Sequence, residues 1–392
     1  CDSFNDNFLA RERSQNKKIM LVLDSQILKY DTNCGQRSTF HYLKMFVDKG
    51  MSVKFMPLNQ DIDLRKDSSY LEVLANIGIE TIIDDPSRKK ENFLQNWFRD
   101  NGRYLDYIFI NRPEVWEYFY ILIKDFCPKA KLIYQGHDIH FLREERLFSI
   151  SPSEELKSKI DSHKSLEVNI WKKADLTWYF SSKEIDIIKN MYPCANAMAV
   201  PLYLYDTPEK VEYDGEFRSD LLFVGGFKHT PNLDAMEWFI NEIFPTVSQK
   251  LPGIKLHIVG SNPPKSLRKI ANSDIIIHGF VSDEKLEELY KSTKLVISPL
   301  RYGAGIKGKI IEAMMFQIPV ITTSIGAEGI DSELLTIADS SNEFIEKLIT
   351  LYSDNDKLNT ISNNSLDFVK TNYTKDVINK FVDDWFNLKT SK

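Results

Sequence analysis

Short apolar runs separated by polar turns recur along the chain at the spacing of alternating strands and helices. In the first half they predict strands at 18–24, 52–56, 80–83, 105–110, 132–134 and 176–180, with a helix ending near Lys49 and another over 152–173. A second series predicts strands at 221–224, 255–259, 275–277, 295–297 and 320–322. Continuous apolar strands with helices between them indicate parallel sheets covered on both faces.

The two series predict two doubly wound α/β domains that face a cleft. We expect a tail or linker at 1–16, a first domain at 17–202, a connector at 203–219 and a second domain at 220–373. Ligands of such sheets bind at the carboxyl ends of the strands. The cleft between the domains is therefore the predicted site.

The composition is that of a globular protein with no general affinity for nucleic acid. Of 392 residues, 43% are hydrophobic and 27% charged, and the net charge is -6. No run approaches the ~18 apolar residues of a membrane span. The four cysteines have no metal-ligand or redox spacing, so we expect reduced thiols and a cytoplasmic protein. An initial Cys1 and a polar start suggest a piece of a larger multidomain polypeptide.

The most informative stretch is the glycine-rich segment at 299–315, which follows a predicted strand and precedes a helix expected to open near Ile306. Glycines allow backbone amides to approach an anion, and a helix N-terminus adds partial positive charge. Lys307 and Lys309 are expected in the first turn, where the helix dipole disfavours cations. A diphosphate would explain them; a tight turn with surface lysines is the alternative.

Similar polar clusters follow two other predicted strands. Gly225 and Gly226 end a strand before a helix expected to start near Pro231. In the first domain, His137 and Asp138 come just after a strand, and Arg37 follows Gly35 near a helix start. Titratable groups at such strand ends favour a site. A metal at His137 and His140 lacks further ligands, and Asp61-Ile62-Asp63 lies outside the predicted cleft.

Taken together, these stretches resemble retaining, nucleotide-sugar-dependent glycosyltransferases of family 4, which have the GT-B fold. The resemblance runs from about Lys17 to the C-terminus and is strongest over 221–330. It rests on 223–232, 278–283, 299–323 and 326–329. The stretch 134–146 looks like the first-domain signature of a bacterial subgroup that builds surface polysaccharides. The resemblance also implies that a helix at 374–392 crosses back onto an acceptor-side first domain.

The resemblance implies roles for the matching positions. Glu312 would bind the donor ribose, and His137 would lie near the transferred sugar, next to Asp138. We expect His137, Asp138 and Lys307 to be catalytic. The other implied donor-binding residues are Gly35, Gly225, Gly226, Lys228, Gly279, Phe280, Val281, Arg301, Gly303, Gly305, Ile306 and Lys309.

This chain departs from the family pattern at three positions. Ala304 stands where the first glutamate of the paired motif usually contacts the donor sugar. The family's arginine and lysine after the opening strand map near Gly226 and Pro231, so we expect Lys307, helped by Lys228 or Arg301, to supply positive charge.

The implied activity is transfer of a hexose-type sugar from a nucleotide diphosphate donor to a glycan or lipid-linked hydroxyl, with retention, in capsule, O-antigen or related synthesis. No cofactor, metal ion or nucleic acid is expected. Peripheral contact with the inner face of the membrane stays an open alternative, which the sequence does not establish. An inactive GT-B module that binds nucleotide sugar or glycan is the main alternative. A GT-B epimerase or phosphorylase is another, whereas a dinucleotide oxidoreductase lacks its glycine fingerprint here.

Overall fold

The computed structural model describes residues 17–84, 92–206 and 213–386. The predicted tail at 1–16, the segment 85–91, part of the connector at 207–212 and the last residues, 387–392, lie outside this description. Within it, the chain forms two parallel sheets with helices between their strands. This confirms the predicted α/β class with two doubly wound units.

The first sheet and its helices come from the first half of the chain. The strands are β1 (Ile19–Asp24), β2 (Ser52–Pro57), β3 (Glu80–Thr81), β4 (Tyr107–Asn111), β5 (Lys131–Gln135), β6 (Leu176–Tyr179) and β7 (Ala197–Ala199). The helices are α1 (Cys34–Asp48), α2 (Leu64–Asn76), α3 (Phe93–Asn101), α4 (Pro113–Phe126), α5 (His140–Ile150), α6 (Glu154–Lys173) and α7 (Ser182–Met191).

The second sheet and its helices come from the second half. The strands are β8 (Ser219–Val224), β9 (Leu256–Val259), β10 (Ile275–Gly279), β11 (Thr293–Ser298), β12 (Val320–Thr322) and β13 (Thr336–Ile337). The helices are α8 (Thr230–Trp238), α9 (Phe244–Lys250), α10 (Lys265–Arg268), α11 (Asp283–Ser292), α12 (Gly308–Met315), α13 (Ser341–Tyr352), α14 (Asn355–Asn372) and α15 (Lys375–Phe386).

Strand order places the candidate loops side by side. Among the described residues the orders are β3-β2-β1-β4-β5-β6-β7 and β10-β9-β8-β11-β12-β13, with all pairs parallel. In each sheet, successive strands are added on one side of the strand that comes first in the sequence and then on its other side. This change lies between β1 and β4 in the first sheet and between β8 and β11 in the second. Such a switch point opens a crevice at the carboxyl ends of the strands. The glycine loops after β8 and β11 therefore border one crevice, and the loop before α1 borders the other.

The elements differ from the predicted ones mainly at their ends. β7 and β13 were not predicted, since these edge strands have only three and two residues. The predicted opening of α12 near Ile306 is wrong, because α12 begins at Gly308 with Lys307 as its extended N-cap. Asp63 of the discounted Asp61–Asp63 triplet caps α2 by accepting from the Arg65 amide at 3.2 Å.

The two lobes are joined by buried apolar packing. One cluster includes Tyr42 of α1, Leu204 of the connector and Ile310 of α12. The last helix, α15, packs on the first domain, where the ring centroids of Phe386 and Phe46 lie 5.5 Å apart. Among the described helices, none is both long and apolar enough to span a membrane. This packing brings loops of both lobes against one another.

Candidate functional site

The start of α12 is a helix N-terminus that no side chain of the described residues caps. The loop before it turns at Gly303 (φ 145°) and Gly305 (φ 69°), which are conformations that favour glycine. Lys307, as the N-cap residue, precedes the first turn, and Lys309 lies within it. The first amides of a helix have no intrahelical acceptor. Apart from the amides that donate to the Lys307 carbonyl, the first amides of α12 therefore remain as donors for a ligand.

The side chains of both lysines of this segment are partly or fully buried. Lys307 is 8% exposed, its Nζ donates to the Gly305 carbonyl, and the same nitrogen lies 3.7 Å from Oε2 of Glu328. Burial lowers the pKa of Lys307, which the charge of Glu328 opposes. Burial also lowers the pKa of Lys309 to about 7. An anion bound here would favour the charged form of both.

The loop after β8 packs directly against Lys309. A Cβ on Gly225 would lie 2.8 Å from both Lys309 Nζ and Asn232 Nδ2, so a side chain here would displace these two groups. Asn232 donates to the Gly226 carbonyl at 2.8 Å, and its Oδ1 accepts from Lys309. The two glycine segments singled out in the sequence thus form one continuous surface. Lys228, by contrast, is exposed.

The first domain contributes His137 and Asp138 at the end of β5. A Cβ on Gly35 would lie 3.1 Å from His137 Nδ1, which brings the two predicted first-domain segments together. Burial, with the charge of Arg112, lowers the pKa of His137 to about 4, so the imidazole is neutral at pH 7. Although burial acts against the charge, Arg143, 2.6 Å from Asp138, holds the pKa of this carboxyl well below its ordinary value.

Residues of the first domain reach across to the α12 loop. Arg146 of α5 donates to the Gly303 carbonyl and forms a bidentate pair with Glu328, at 2.7 and 2.8 Å. A Cβ on Gly305 would lie 3.4 Å from Asp138 Cβ. Lys307, Asp138 and the glycine loop therefore line the same space between the lobes.

Glu312, one turn into α12, is 4% exposed and already bonded to protein hydroxyls. It accepts from Tyr205 at 2.7 Å and from Tyr290 at 3.1 Å, and Arg37 Nη1 lies 3.9 Å away. Arg37 also donates to the Tyr205 hydroxyl at 2.7 Å and to Asp283 at 2.6 Å. Glu312 thus lies where the connector, α1 and α11 meet.

Other predicted donor-site residues are placed less centrally. Arg301 is paired with Asp234, whose Oδ2 accepts from Nε at 2.9 Å, and it lies 5.8 Å from the Trp238 ring. Phe280 is 53% exposed beside Gly279, which has φ 73°. Ala304 is buried. The basic side chains that lie against Gly225 and Gly303 are therefore Lys309, Lys307 and Arg146.

The prediction missed several residues of this region, among them Arg146, Tyr205, Glu328 and Glu184, whose Oε1 would lie 2.9 Å from a Cβ on Gly305. They lie in different segments, and only the packing of the two lobes brings them together. Arg146 and Glu328 belong to stretches that carry the family resemblance, which was the one available signal. Among the described residues, no group of three or more His, Cys, Asp or Glu side chains could hold a metal ion.

Comparison with known proteins bears first on the second domain. Residues 218–354 match the family model of glycosyl transferases, group 1. The chain is 30% identical over 164 residues to an uncharacterised 44.6 kDa protein in the cps region of Klebsiella pneumoniae. That alignment covers 39% of this chain and 42% of the relative, so the chain matches less than half the length of this curated relative.

Solved structures match nearly the whole chain. A variant of S. aureus TarM, crystallised with UDP, superposes with a TM-score of 0.71 at 11% identity, covering 95% of this chain and 100% of that one. HepE of Anabaena in complex with UDP superposes with a TM-score of 0.66 at 15% sequence identity, and the match covers 94% of this chain and 99% of that one. WaaG, a glycosyltransferase involved in lipopolysaccharide biosynthesis, superposes with a TM-score of 0.66 at 14% sequence identity. The match covers 93% of this chain and 99% of that one.

These likenesses establish the architecture. The chain has the GT-B fold, with two Rossmann-like domains facing a central cleft, as predicted. Its second domain carries the group 1 glycosyl transferase match.

Proposed function

We propose that this chain transfers a hexose-type sugar from a nucleoside diphosphate donor to a hydroxyl acceptor, with retention of the anomeric configuration. The observation that carries the proposal is the joint surface of the α12 start, Lys307, Lys309 and the Gly225 loop, together with Asp138 of the first domain, whose Cβ lies 3.4 Å from the position of a Cβ on Gly305. Amides, ammonium groups and glycines that allow close approach are the chemistry that binds a diphosphate.

The departing diphosphate gains negative charge as the glycosidic bond breaks. A helix N-terminus and Lys307 aimed at it would stabilise this charge most in the transition state, which is what accelerates the chemical step. Arg301 is neutralised by Asp234, so we assign the main positive charge to the two lysines of the α12 segment. No metal ion is needed for this step.

In this proposal Glu312 binds the donor ribose. Its two oxygens each accept one tyrosine hydroxyl, while a carboxylate offers about four lone-pair sites. A ribose hydroxyl would use a remaining site or replace the hydroxyl of Tyr205, which belongs to the connector. Nucleotide binding at Glu312 is therefore coupled to the contact between the lobes.

His137 and Asp138 act on the sugar side of the diphosphate. A neutral imidazole can accept or donate a hydrogen bond to a sugar hydroxyl without adding charge. Asp138, kept ionised by Arg143, adds negative charge beside the anomeric carbon, where positive charge develops. Gly35 leaves room for His137, because a side chain there would meet its ring.

Two names among the relatives support a glycan or lipid-linked glycan as acceptor. One relative is a protein in the cps region, and WaaG is described as involved in lipopolysaccharide biosynthesis. We extend this to a role in surface-polysaccharide synthesis. Retention follows from the family resemblance, and NMR of the product's anomeric proton tests it: an inverted product would refute this part.

A panel of nucleoside diphosphate sugars, assayed for nucleoside diphosphate release with and without glycan acceptors, tests the activity. Turnover with one donor supports the proposal. The alternative, a module that binds nucleotide sugar without catalysis, is favoured by Ala304, which removes a sugar-contacting carboxylate of the family pattern. Tight nucleotide binding with no diphosphate released, whatever acceptor is supplied, would favour that alternative.

A further inference from the structure

A buried carboxyl group of the first domain lacks a partner at one of its oxygens. Glu184 is the third residue of α7 and is 0% exposed. Its Oε2 accepts from the hydroxyl of Ser181, the N-cap residue, at 3.2 Å. Its Oε1 has no hydrogen-bond partner among the residues that the structure describes. Such groups are few in native proteins and call for an explanation.

This free oxygen faces the glycine loop of the second domain. A Cβ on Gly305 would lie 2.9 Å from Glu184 Oε1. Burial, with the charges of Asp138 and Glu328, raises the pKa of Glu184 to about 8, although Lys307 opposes this. The group is therefore largely neutral at pH 7, and a carboxylic acid can both donate and accept a hydrogen bond.

Helix capping accounts for the position of Oε2 of Glu184 but not for that of Oε1. The Ser181 hydroxyl accepts from the Glu184 amide at 3.3 Å, which caps α7 without any help from Oε1. An apolar residue could fill the same space without the cost of burying a polar atom. The position of Oε1 against Gly305 therefore points to a ligand.

We propose that Glu184 binds a hydroxyl of the donor's transferred sugar. This rests on the proposed function: with the diphosphate at the start of α12, the sugar it carries lies next to the loop at Gly305. Because Gly305 has no side chain, Glu184 Oε1 lies close against this loop, 2.9 Å from where a Cβ would be. Sugar hydroxyls are the matching groups, because each can accept from and donate to a carboxyl.

The assignment has a consequence for specificity. The side chain of Ala304 offers no hydrogen bond to the sugar. In this proposal the carboxyl group that selects the sugar therefore comes from the first domain. Glu184 should then affect nucleotide sugars but not the nucleoside diphosphate alone, since the latter has no group at this position. A residue that only capped α7 would affect neither selectively.

The test compares Glu184→Leu, which keeps the approximate size of the side chain and removes both oxygens, with Asp186→Leu, a matched control on the exposed side of the same helix. The donor is the one that gives turnover in the panel, and the binding probe is its nucleoside diphosphate. We expect Glu184→Leu to lower kcat/KM for the donor about 10- to 100-fold and to leave the Kd of the nucleoside diphosphate within about twofold. Asp186→Leu should match the wild type.

A donor analogue that lacks one sugar hydroxyl identifies the contact. The analogue that shows the largest drop in kcat/KM with the wild type should show little further drop with Glu184→Leu, because the same hydrogen bond is already absent. The Tm of Glu184→Leu should equal or exceed that of the wild type at pH 9, where the wild-type protein must bury a charge.

Three results would overturn the proposal: unchanged kcat/KM in Glu184→Leu, an equal loss in nucleoside diphosphate binding, or a lower Tm at pH 9, which would assign a structural role. In each case an active wild type leaves the proposed function standing. A wild type inactive with every donor would instead refute both.

Discussion

Removing the ammonium group of Lys307 tests the electrostatic core of the proposed mechanism. Lys307 is 8% exposed at the N-cap of α12, and in the proposed complex its charge faces the leaving diphosphate. Loss of one preorganised donor to a developing charge typically costs about 3–4 kcal/mol, or roughly 10²–10³ in kcat. We therefore expect Lys307→Ala to lose most turnover.

The fold should survive this change. Glu328, the carboxylate nearest to Lys307 Nζ, keeps its bidentate pair with Arg146 at 2.7 and 2.8 Å. Lys307→Met retains most of the buried stem and removes only the charge, so it separates packing from electrostatics. Lys250→Ala, at the exposed end of α9, controls for loss of a surface lysine.

Nucleoside diphosphate release under saturating donor and acceptor measures kcat, and thermal denaturation monitors the fold. Both Lys307 variants should lose about the same activity, because the charge and not the stem stabilises the leaving group. Near-normal kcat in a folded Lys307→Met would refute the role assigned to Lys307. A loss confined to Lys307→Ala would assign the effect to packing.

Three further predictions concern the nucleotide. Gly225→Ala should weaken nucleoside diphosphate binding at least about tenfold, because the new Cβ would meet Lys309 Nζ at 2.8 Å; calorimetry showing unchanged Kd would contradict the close approach. Nucleoside diphosphate binding should be accompanied by proton uptake above pH 7 and should weaken as pH rises, because burial holds the pKa of Lys309 at about 7 and a bound anion raises it. Equal binding heats in buffers of different ionisation enthalpy would refute this. Tyr205→Phe should tighten nucleoside diphosphate binding up to about fivefold by removing a hydroxyl that competes for Glu312; weaker binding would mean that Tyr205 supports the ribose instead.

The sequence predicted the sheets well because their strands are buried on both faces and therefore form continuous apolar runs. It missed β7 and β13, whose short edge segments carry no such run. The predicted start of α12 was two residues too early. The left-handed conformation of Gly305 and the extended conformation of Lys307 cannot be predicted from the spacing of apolar residues.

The candidate site was predictable where glycines and charged residues follow strands, as at Gly225 and Lys307. Glu184 and Tyr205 were not, because the second-domain residues that they face, Gly305 and Glu312, lie far along the chain. Glu184 resembles an ordinary helix-capping residue in the sequence, and Tyr205 lies in a connector with no periodic pattern. The partner of Arg301 also depends on tertiary packing, which placed Asp234 beside it.

The central claim is that the start of α12 binds the diphosphate of a nucleotide sugar in the cleft. A crystal structure of the chain with the nucleoside diphosphate of its donor measures this directly. The account predicts phosphate oxygens within hydrogen-bonding distance of the first α12 amides and of Lys307 Nζ, with the ribose at Glu312. Phosphates bound elsewhere, with Lys307 still bonded only to protein groups, would contradict it.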